Sequence, residues 1–169
     1  PPVYLSQEDG ERAKFLYRNT HKMATKLWWE TAEQALEVLE ARTAMTWGPM
    51  HIEDGAIWLP NGLPLWYDEF RREGEDLFCL IRGKWRKMWG TKLVQHVCEA
   101  LARTVVSQAM LRIPYRPINC THDEVKYCVP LDEAPAALDT VLRELKRTPD
   151  WAPNLPLDAE GFYGVRYSK

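Results

Sequence analysis

A stretch without proline, from Trp85 to Leu111, constrains the fold more than any other feature of this chain. Apolar residues recur in it at every fourth position: Leu93, Val97, Leu101, Val105 and Ala109. That spacing keeps them on one side of an α-helix. Pro114 and Pro117 follow, and proline cannot continue a helix because it has no backbone N–H. The sequence therefore predicts one long helix that ends before Pro114.

Three further helices are predicted elsewhere in the sequence. Ser6 is followed by acidic residues, a combination typical of a helix N-terminus, and predicts a helix that ends near residue 20. A second helix should run from about His21 to Arg42. Its apolar face is predicted from residues three and four apart: Ala24, Trp28, Thr31, Ala35 and Val38. Residues 131–147 have the pattern of a surface helix.

Strand patterns fill much of the remainder. The run AIWLPNGLPLWY predicts a hairpin, because Asn61 and Gly62 both tolerate positive φ. Residues 68–77 are charged and predict a solvated loop, followed by a strand at Leu77–Ile81. RPINCTHDEVKYCVP predicts two strands that meet at a turn, and GFYGVRYSK predicts a final strand. These elements predict an α+β fold with long helices packed on one side of an antiparallel sheet.

Charge and cysteine content narrow the class of protein. The 22 basic and 24 acidic residues give a net charge of −2, so attraction to nucleic acid would have to come from a local patch. The four cysteines have no spacing typical of a zinc site or a disulfide framework, and we interpret them as reduced thiols. No apolar run reaches the roughly 20 residues needed to cross a bilayer. We expect a cytoplasmic protein with a substantial core.

The turn of the CTHDEVKYC hairpin carries His122, Asp123 and Glu124. Neighbouring carboxylates repel each other, and a site that keeps both ionised usually holds a cation. Carboxylate oxygens suit Mg²⁺, which binds through one or two of them together with substrate phosphates. The tip therefore predicts metal-dependent phosphoryl transfer. The alternative is that these are solvated turn residues, since Asp is common in turns for its backbone hydrogen bonds.

Polar residues on the long helix indicate a second candidate surface. They fall three and four apart and share one side: Lys92, Gln95, His96, Glu99 and Arg103. A basic cluster around Trp85 precedes them and suits backbone phosphates: Arg82, Lys84, Arg86 and Lys87. Gln, His and Arg also reach base edges and sugars. A solvated helix face is the alternative interpretation.

The order of five segments resembles the C-terminal part of family A DNA polymerases, especially bacteriophage ones: FLYRNTHKMATKLW, LPNGLPLWY, WGTKLVQHVCEALARTVV, INCTHDEVKYCVP and GFYGVRYSK. The resemblance covers nearly the whole chain. It implies that the hairpin is motif C of the palm in a right-hand polymerase fold. Asp123 and Glu124 would then be the catalytic, metal-binding acids, with Glu124 in a supporting part, and His122 would lie near the primer terminus.

The long helix resembles the segment of that family that contacts the minor groove of the primer-template. Lys92, Leu93, Ala100 and Arg103 match it. Gln95, His96 and Glu99 depart from it, and an acid facing DNA is electrostatically unfavourable. Leu63 stands where relatives often have Arg. The resemblance implies duplex contacts from Arg103, Lys92, Gln95 and His96, with those of Glu99 in doubt and Arg86 and Lys87 nearby.

Two motifs of the resembled family are missing from this chain. Motif A supplies the partner aspartate and motif B grips the dNTP, and both would lie upstream. Because two Mg²⁺ ions need ligands from both sides, we expect activity only with an N-terminal chain or domain that carries them. Residues 1–45 would be fingers-side helices and residues 46–169 the C-terminal palm portion.

Two other interpretations of the sequence are open. The first is a non-catalytic DNA-binding or assembly subunit with a palm-like fold, which the missing motifs favour and the retained His-Asp-Glu opposes. The second is a fragment of a single-subunit RNA polymerase. That group usually has Ser in place of Glu124, so the sequence favours it less.

Overall fold

The N-terminal helices form where the sequence predicts, with one irregularity. In the computed structural model, which describes residues 6–166, helix α1 spans Gln7–Thr20 and the Ser6 hydroxyl accepts a hydrogen bond from the Asp9 N–H at 3.1 Å. The second predicted helix is divided into α2 (Lys22–Lys26), a π-helical turn (Leu27–Thr31) and α3 (Ala32–Glu40). A π-turn inserts a residue and rotates the helix beyond it. The buried face of α3 therefore differs from the predicted one: Ala32, Ala35, Leu36 and Leu39.

A four-stranded antiparallel sheet follows the helices. Its strands pair in chain order: β1 (Met45–Trp47), β2 (Met50–Glu53), β3 (Ala56–Trp58) and β4 (Pro64–Trp66). Met50 and Ile52 are buried while His51 and Glu53 are exposed, as expected for a strand with one face toward the core. The predicted β3–β4 hairpin is confirmed, with Gly62 at φ 79° in its turn.

The next sheet corrects two predictions from the sequence. It consists of β5 (Phe70–Glu73), β6 (Asp76–Ile81) and β7 (Lys84–Met88), all antiparallel. Residues 68–77 are thus mostly strand and turn, and the long helix does not begin at Trp85. The physical reason is that Gly74 and the Arg82–Gly83 pair adopt positive φ, which forms tight turns and pairs the flanking segments.

The long helix α4 spans Gly90–Arg112. Its first residue lies against the earlier helices: the Gly90 N–H donates to Glu33 Oε1 at 2.6 Å. Of its predicted apolar stripe, Leu93, Val97 and Ala109 are buried, whereas Leu101 and Val105 are half-buried. No helix within residues 6–166 is long and apolar enough to span a membrane.

The chain divides into two compact units, Pro1–Val97 and Cys98–Lys169. The second unit contains the hairpin β8 (Pro117–Thr121) and β9 (Glu124–Tyr127) and the predicted surface helix, α5 (Ala134–Leu145). The mixed α+β class is confirmed, but residues 6–166 contain three small antiparallel sheets where one was expected.

The predicted final strand does not form within residues 161–166, and 167–169 lie outside the described residues. A Cβ built at Gly161 would lie 3.1 Å from Leu138 Cδ1 of α5. This segment therefore lies close against a helix side chain and pairs with no strand.

Candidate functional site

The tip of the β8–β9 hairpin brings together three predicted site residues. Thr121 pairs with Glu124, which leaves His122 and Asp123 as a two-residue turn. His122 has φ 56°, in the left-handed region that histidine occupies more readily than most residues. All three polar side chains at the tip are exposed. The Asp123 side chain is thus exposed in the turn, and Glu124 is the first residue of β9.

One face of the hairpin is polar. Register places Thr121 beside Glu124 and Asn119 beside Lys126. Lys126 Nζ lies 3.1 Å from Glu124 Oε1, and the Thr121 hydroxyl donates to Asn119 Oδ1 at 2.8 Å. Glu124 therefore has a cation within its own strand, whereas Asp123 forms no ion pair with any residue in the described part of the chain. Sequence reasoning missed Lys126, although a period of two places it on the face of Glu124.

The opposite face of the hairpin contacts α4. The Arg103 guanidinium donates from Nη1 to Cys120 Sγ at 3.0 Å. On the neighbouring strand, the Tyr127 ring meets the Tyr115 ring edge-to-face, with centroids 6.5 Å apart. Burial, and then the adjacent Cys120, raises the pKa of Tyr127. The structure thus places the predicted DNA ligand Arg103 directly beside the strand that leads to the tip.

The first part of α4 is tied to residues of its own unit. Lys92 Nζ donates to Gln95 Oε1 at 2.9 Å. His96 Nδ1 lies 3.2 Å from the hydroxyl of buried Tyr67, and the two rings stack with centroids 6.2 Å apart. Burial raises the pKa of Tyr67, so it remains a neutral phenol. His96 is therefore half-buried, and part of its ring packs against the core. The sequence pattern did not indicate its contact with Tyr67.

The structure does not bring Arg86 and Lys87 together. They are consecutive residues of β7, so their side chains lie on opposite faces of the sheet. Glu99, by contrast, is exposed on α4, one helical turn before Arg103. The predicted duplex-binding residues thus fall into two groups, those along α4 and those of β7.

A metal ion would have to share its ligands with groups from elsewhere. Within residues 6–166, no three His, Cys, Asp or Glu side chains are grouped to hold a metal. The donor type is nevertheless suitable, since Mg²⁺ in phosphoryl-transfer sites commonly uses one or two carboxylates and completes its shell with phosphates and waters. Asp123 could provide one such carboxylate.

Comparison with known proteins gives one informative similarity. The chain is 26% identical to a DNA polymerase of Bacillus phage SP02 over an alignment of 177 residues, which covers 90% of this chain. The chain is related to a phage DNA polymerase. It spans about a quarter of that relative, since the alignment covers 26% of the relative's length. No protein-family model matches the chain, and no solved structure matches it.

Proposed function

We propose that this chain is the C-terminal, motif C-bearing portion of a family A DNA polymerase, which adds dNTPs to a primer 3′ end in a template-directed, Mg²⁺-dependent reaction. The similarity to the phage DNA polymerase supports the coarser statement that the chain serves DNA synthesis. The finer assignment rests on the hairpin. Its two-residue turn exposes the His122 and Asp123 side chains together, and Glu124 follows at once.

Asp123 is the residue assigned to the metal. Its carboxylate is exposed and is separate from the Glu124–Lys126 ion pair. When bound, Mg²⁺ would supply positive charge for the primer hydroxyl and the nucleotide phosphates. Glu124 assists from the first position of β9, where Lys126 fixes its carboxylate. His122 extends from the same turn and positions the primer end.

Helix α4 provides the duplex contacts in this proposal. Arg103 lies against Cys120 of β8, so DNA held by its guanidinium would pass beside the hairpin. Lys92, Gln95 and His96 precede it on the same helix. The contact with Tyr67 orients His96. The hydrogen bond from Lys92 orients Gln95. Glu99 lies one helical turn before Arg103 and would weaken the attraction for phosphate there.

The proposed enzyme needs a second polypeptide segment. The chain spans 26% of the length of its phage relative, and its described residues do not group three metal-binding side chains. An N-terminal chain or domain with motifs A and B would provide the second metal-binding acid and the dNTP-binding helix. Primer-template DNA and dNTP are the other partners of the proposed enzyme.

Primer extension tests the catalytic assignment. The chain is combined with the polymerase segment that carries motifs A and B, then supplied with primer-template, dNTPs and Mg²⁺. We expect Asp123→Asn to reduce extension about 1000-fold, because loss of a metal ligand costs several kcal/mol in the transition state. Asp139→Asn, which changes an exposed acid on α5, is the matched control and should extend normally. Undiminished extension by Asp123→Asn would refute the assignment.

A non-catalytic DNA-binding or assembly subunit is the second candidate. The observation that favours it is the Glu124–Lys126 ion pair at 3.1 Å, which engages one of the two acids at the tip. In that case the chain would bind DNA, but extension by the reassembled enzyme would not depend on Asp123. The Asp123→Asn comparison therefore separates the two functions.

A further inference from the structure

We infer that the tip of the β6–β7 hairpin, made of Arg82, Lys84 and Arg86, binds the phosphate backbone of duplex DNA. The inference rests on the proposed polymerase function for the identity of its ligand. It concerns the first unit only and assigns no role in the chemical step. The basis is that cations on one face of the β5–β7 sheet form ion pairs with acids, whereas those at the tip do not.

Strand register divides the cations around Trp85 between two faces. Cys79 pairs with Arg86 and Ile81 pairs with Lys84, so these two cations share one face of the sheet. Trp85 and Lys87 alternate onto the other face, where they pair with Leu80 and Phe78. The basic cluster seen in the sequence is therefore not a single patch.

The face that carries Trp85 and Lys87 is already neutralised. Lys87 Nζ lies 2.6 Å from Asp76 Oδ1, and Arg71 Nη2 lies 2.8 Å from Glu73 Oε1. The Arg71 guanidinium also covers the Trp85 ring, 4.4 Å from its centroid. Such contacts satisfy the cations and occupy the aromatic face. This side of the sheet therefore has little charge or ring surface left for a ligand.

The tip on the other face retains its charge. Near the base of that face, Arg72 is paired with Glu40 of α3. Toward the tip, Arg82, Lys84 and Arg86 are all exposed, and none of them forms an ion pair with the described residues. Three unpaired cations within five consecutive positions create a local positive field on a chain whose net charge is −2.

Arg82 occupies a turn position that is unfavourable for it. Arg82 and Gly83 have φ values of 50° and 73° in a two-residue turn. The β2–β3 turn has the same form, with Asp54 and Gly55 at 51° and 79°. Asp and Asn are favoured there because they tolerate the left-handed region and bond to local backbone, whereas Arg gains neither advantage. Strain retained at an exposed residue is typical of a functional position.

Duplex DNA suits the tip better than single-stranded DNA. Proteins that bind single strands combine cations with exposed aromatic rings for base stacking. At this hairpin the one aromatic residue near the tip, Trp85, lies on the opposite face under Arg71. Phosphate contacts alone, without stacking, are the mode by which duplex backbones are held.

Salt-dependent binding of the full chain to a fluorescent primer-template duplex tests this inference. Lys84→Gln/Arg86→Gln should weaken binding roughly tenfold near 0.1 M salt and reduce the slope of log K against log salt by about 1.8, or 0.9 for each phosphate contact. The matched control, Lys14→Gln/Arg71→Gln, also removes two charges, but both of its cations have acidic partners. It should leave affinity and slope near the wild-type values.

Two single variants sharpen the test. Lys87→Gln should change the slope by much less than Arg86→Gln, although the residues are adjacent. Arg82→Asn should raise Tm and weaken duplex binding together, because it relieves the turn and removes a cation. An unchanged affinity in Arg82→Asn, with a higher Tm, would mean that Arg82 is only solvated and would overturn its part in the site.

The remaining outcomes are equally decisive. The inference is overturned if the tip and control double variants bind alike, if wild type does not bind the duplex, or if single-stranded DNA or anionic phosphatidylglycerol vesicles bind more tightly through the tip. None of these results bears on Asp123, whose role is measured by extension. Conversely, tip-dependent binding with Asp123-independent extension would uphold the site and reject the catalytic proposal.

Discussion

Gly90 is the residue whose replacement should damage the fold most directly. A Cβ at this position would lie 2.1 Å from the carbonyl oxygen of Trp28, in the π-helical turn, and 2.9 Å from Glu33 Oε1. Backbone cannot move aside cheaply. We expect Gly90→Ala to lower the free energy of unfolding by about 3 kcal/mol or more in urea titrations.

Gly10 provides the matched control for that prediction. It lies in α1, and a Cβ added there would have no neighbouring atom within 4 Å. Alanine is the better helix former by roughly 0.5–1 kcal/mol, so Gly10→Ala should stabilise the chain. Destabilisation of both variants to the same extent would contradict the close packing at Gly90.

Cys79 should make stability depend on alkaline pH. Burial, and then nearby Asp68, raises the pKa of this thiol from 9.0 to about 11. The neutral thiol is the form that the fold favours, so its contribution is complete below pH 9 and is lost as pH rises from 9 through about 11. Urea midpoints of wild type should fall more steeply over that window than those of Cys79→Ala. Equal slopes would contradict the assignment.

Sequence reasoning found the tip but not the contacts around it. His122, Asp123 and Glu124 were located because turn chemistry and strand alternation are local properties. The contacts between Tyr67 and His96 and between Glu33 and Gly90 join residues that are distant in sequence. Such contacts depend on how the elements pack, and no local pattern in the chain predicts them.

At the scale of elements, the sheet β5–β7 shows where local patterns fail. Its strands carry many exposed charges, which are typical of a loop when the pairing is not known. The turn at Arg82–Gly83 lacks the favoured Asn or Asp, so the hairpin had no strong signal in the sequence. Interstrand pairing decided the structure there, whereas α4 and the β8–β9 hairpin had clear periodic patterns and were predicted correctly apart from the helix start.

Arg112, the last residue of α4, contacts Glu144 of α5. Arg112 Nε lies 2.9 Å from Glu144 Oε2, and its Nη2 donates to the Glu144 carbonyl at 3.0 Å. The hydrogen bond from Arg112 lowers the pKa of Glu144. Stability from this pair is therefore present above the ordinary glutamate pKa and is lost as pH falls through the depressed one.

Thermal unfolding at two pH values examines that link. Arg112→Gln should lower Tm at pH 7, and its difference from wild type should shrink at an acidic pH below the depressed pKa of Glu144, where that carboxyl becomes protonated. Arg116→Gln, which changes an exposed arginine that follows α4, is the control and should have little effect at either pH. A Tm difference that stays the same at both pH values would mean that charge is not what joins the helices.

At the scale of the whole molecule, the cations proposed to bind DNA at the β6–β7 tip and the acids proposed for catalysis belong to different units. The net charge of −2 gives no general attraction to DNA, so binding depends on local groups in each unit. The first unit has the unpaired cations of the β6–β7 tip, and the second has the acidic turn with Arg103 beside its strand. In the proposed enzyme, the metal contributed by the assembled site would offset the charge of Asp123.

The central claim is that a divalent cation binds the Asp123 carboxylate. Anomalous diffraction tests this binding most directly. Crystals of the chain assembled with the motif A and B segment, primer-template and dNTP would be soaked in Mn²⁺ as a substitute for Mg²⁺. We expect an anomalous peak at coordination distance from the Asp123 carboxylate in wild type and none there in Asp123→Asn. A Mn²⁺ peak on the nucleotide phosphates with the wild-type Asp123 carboxylate unliganded would contradict the account.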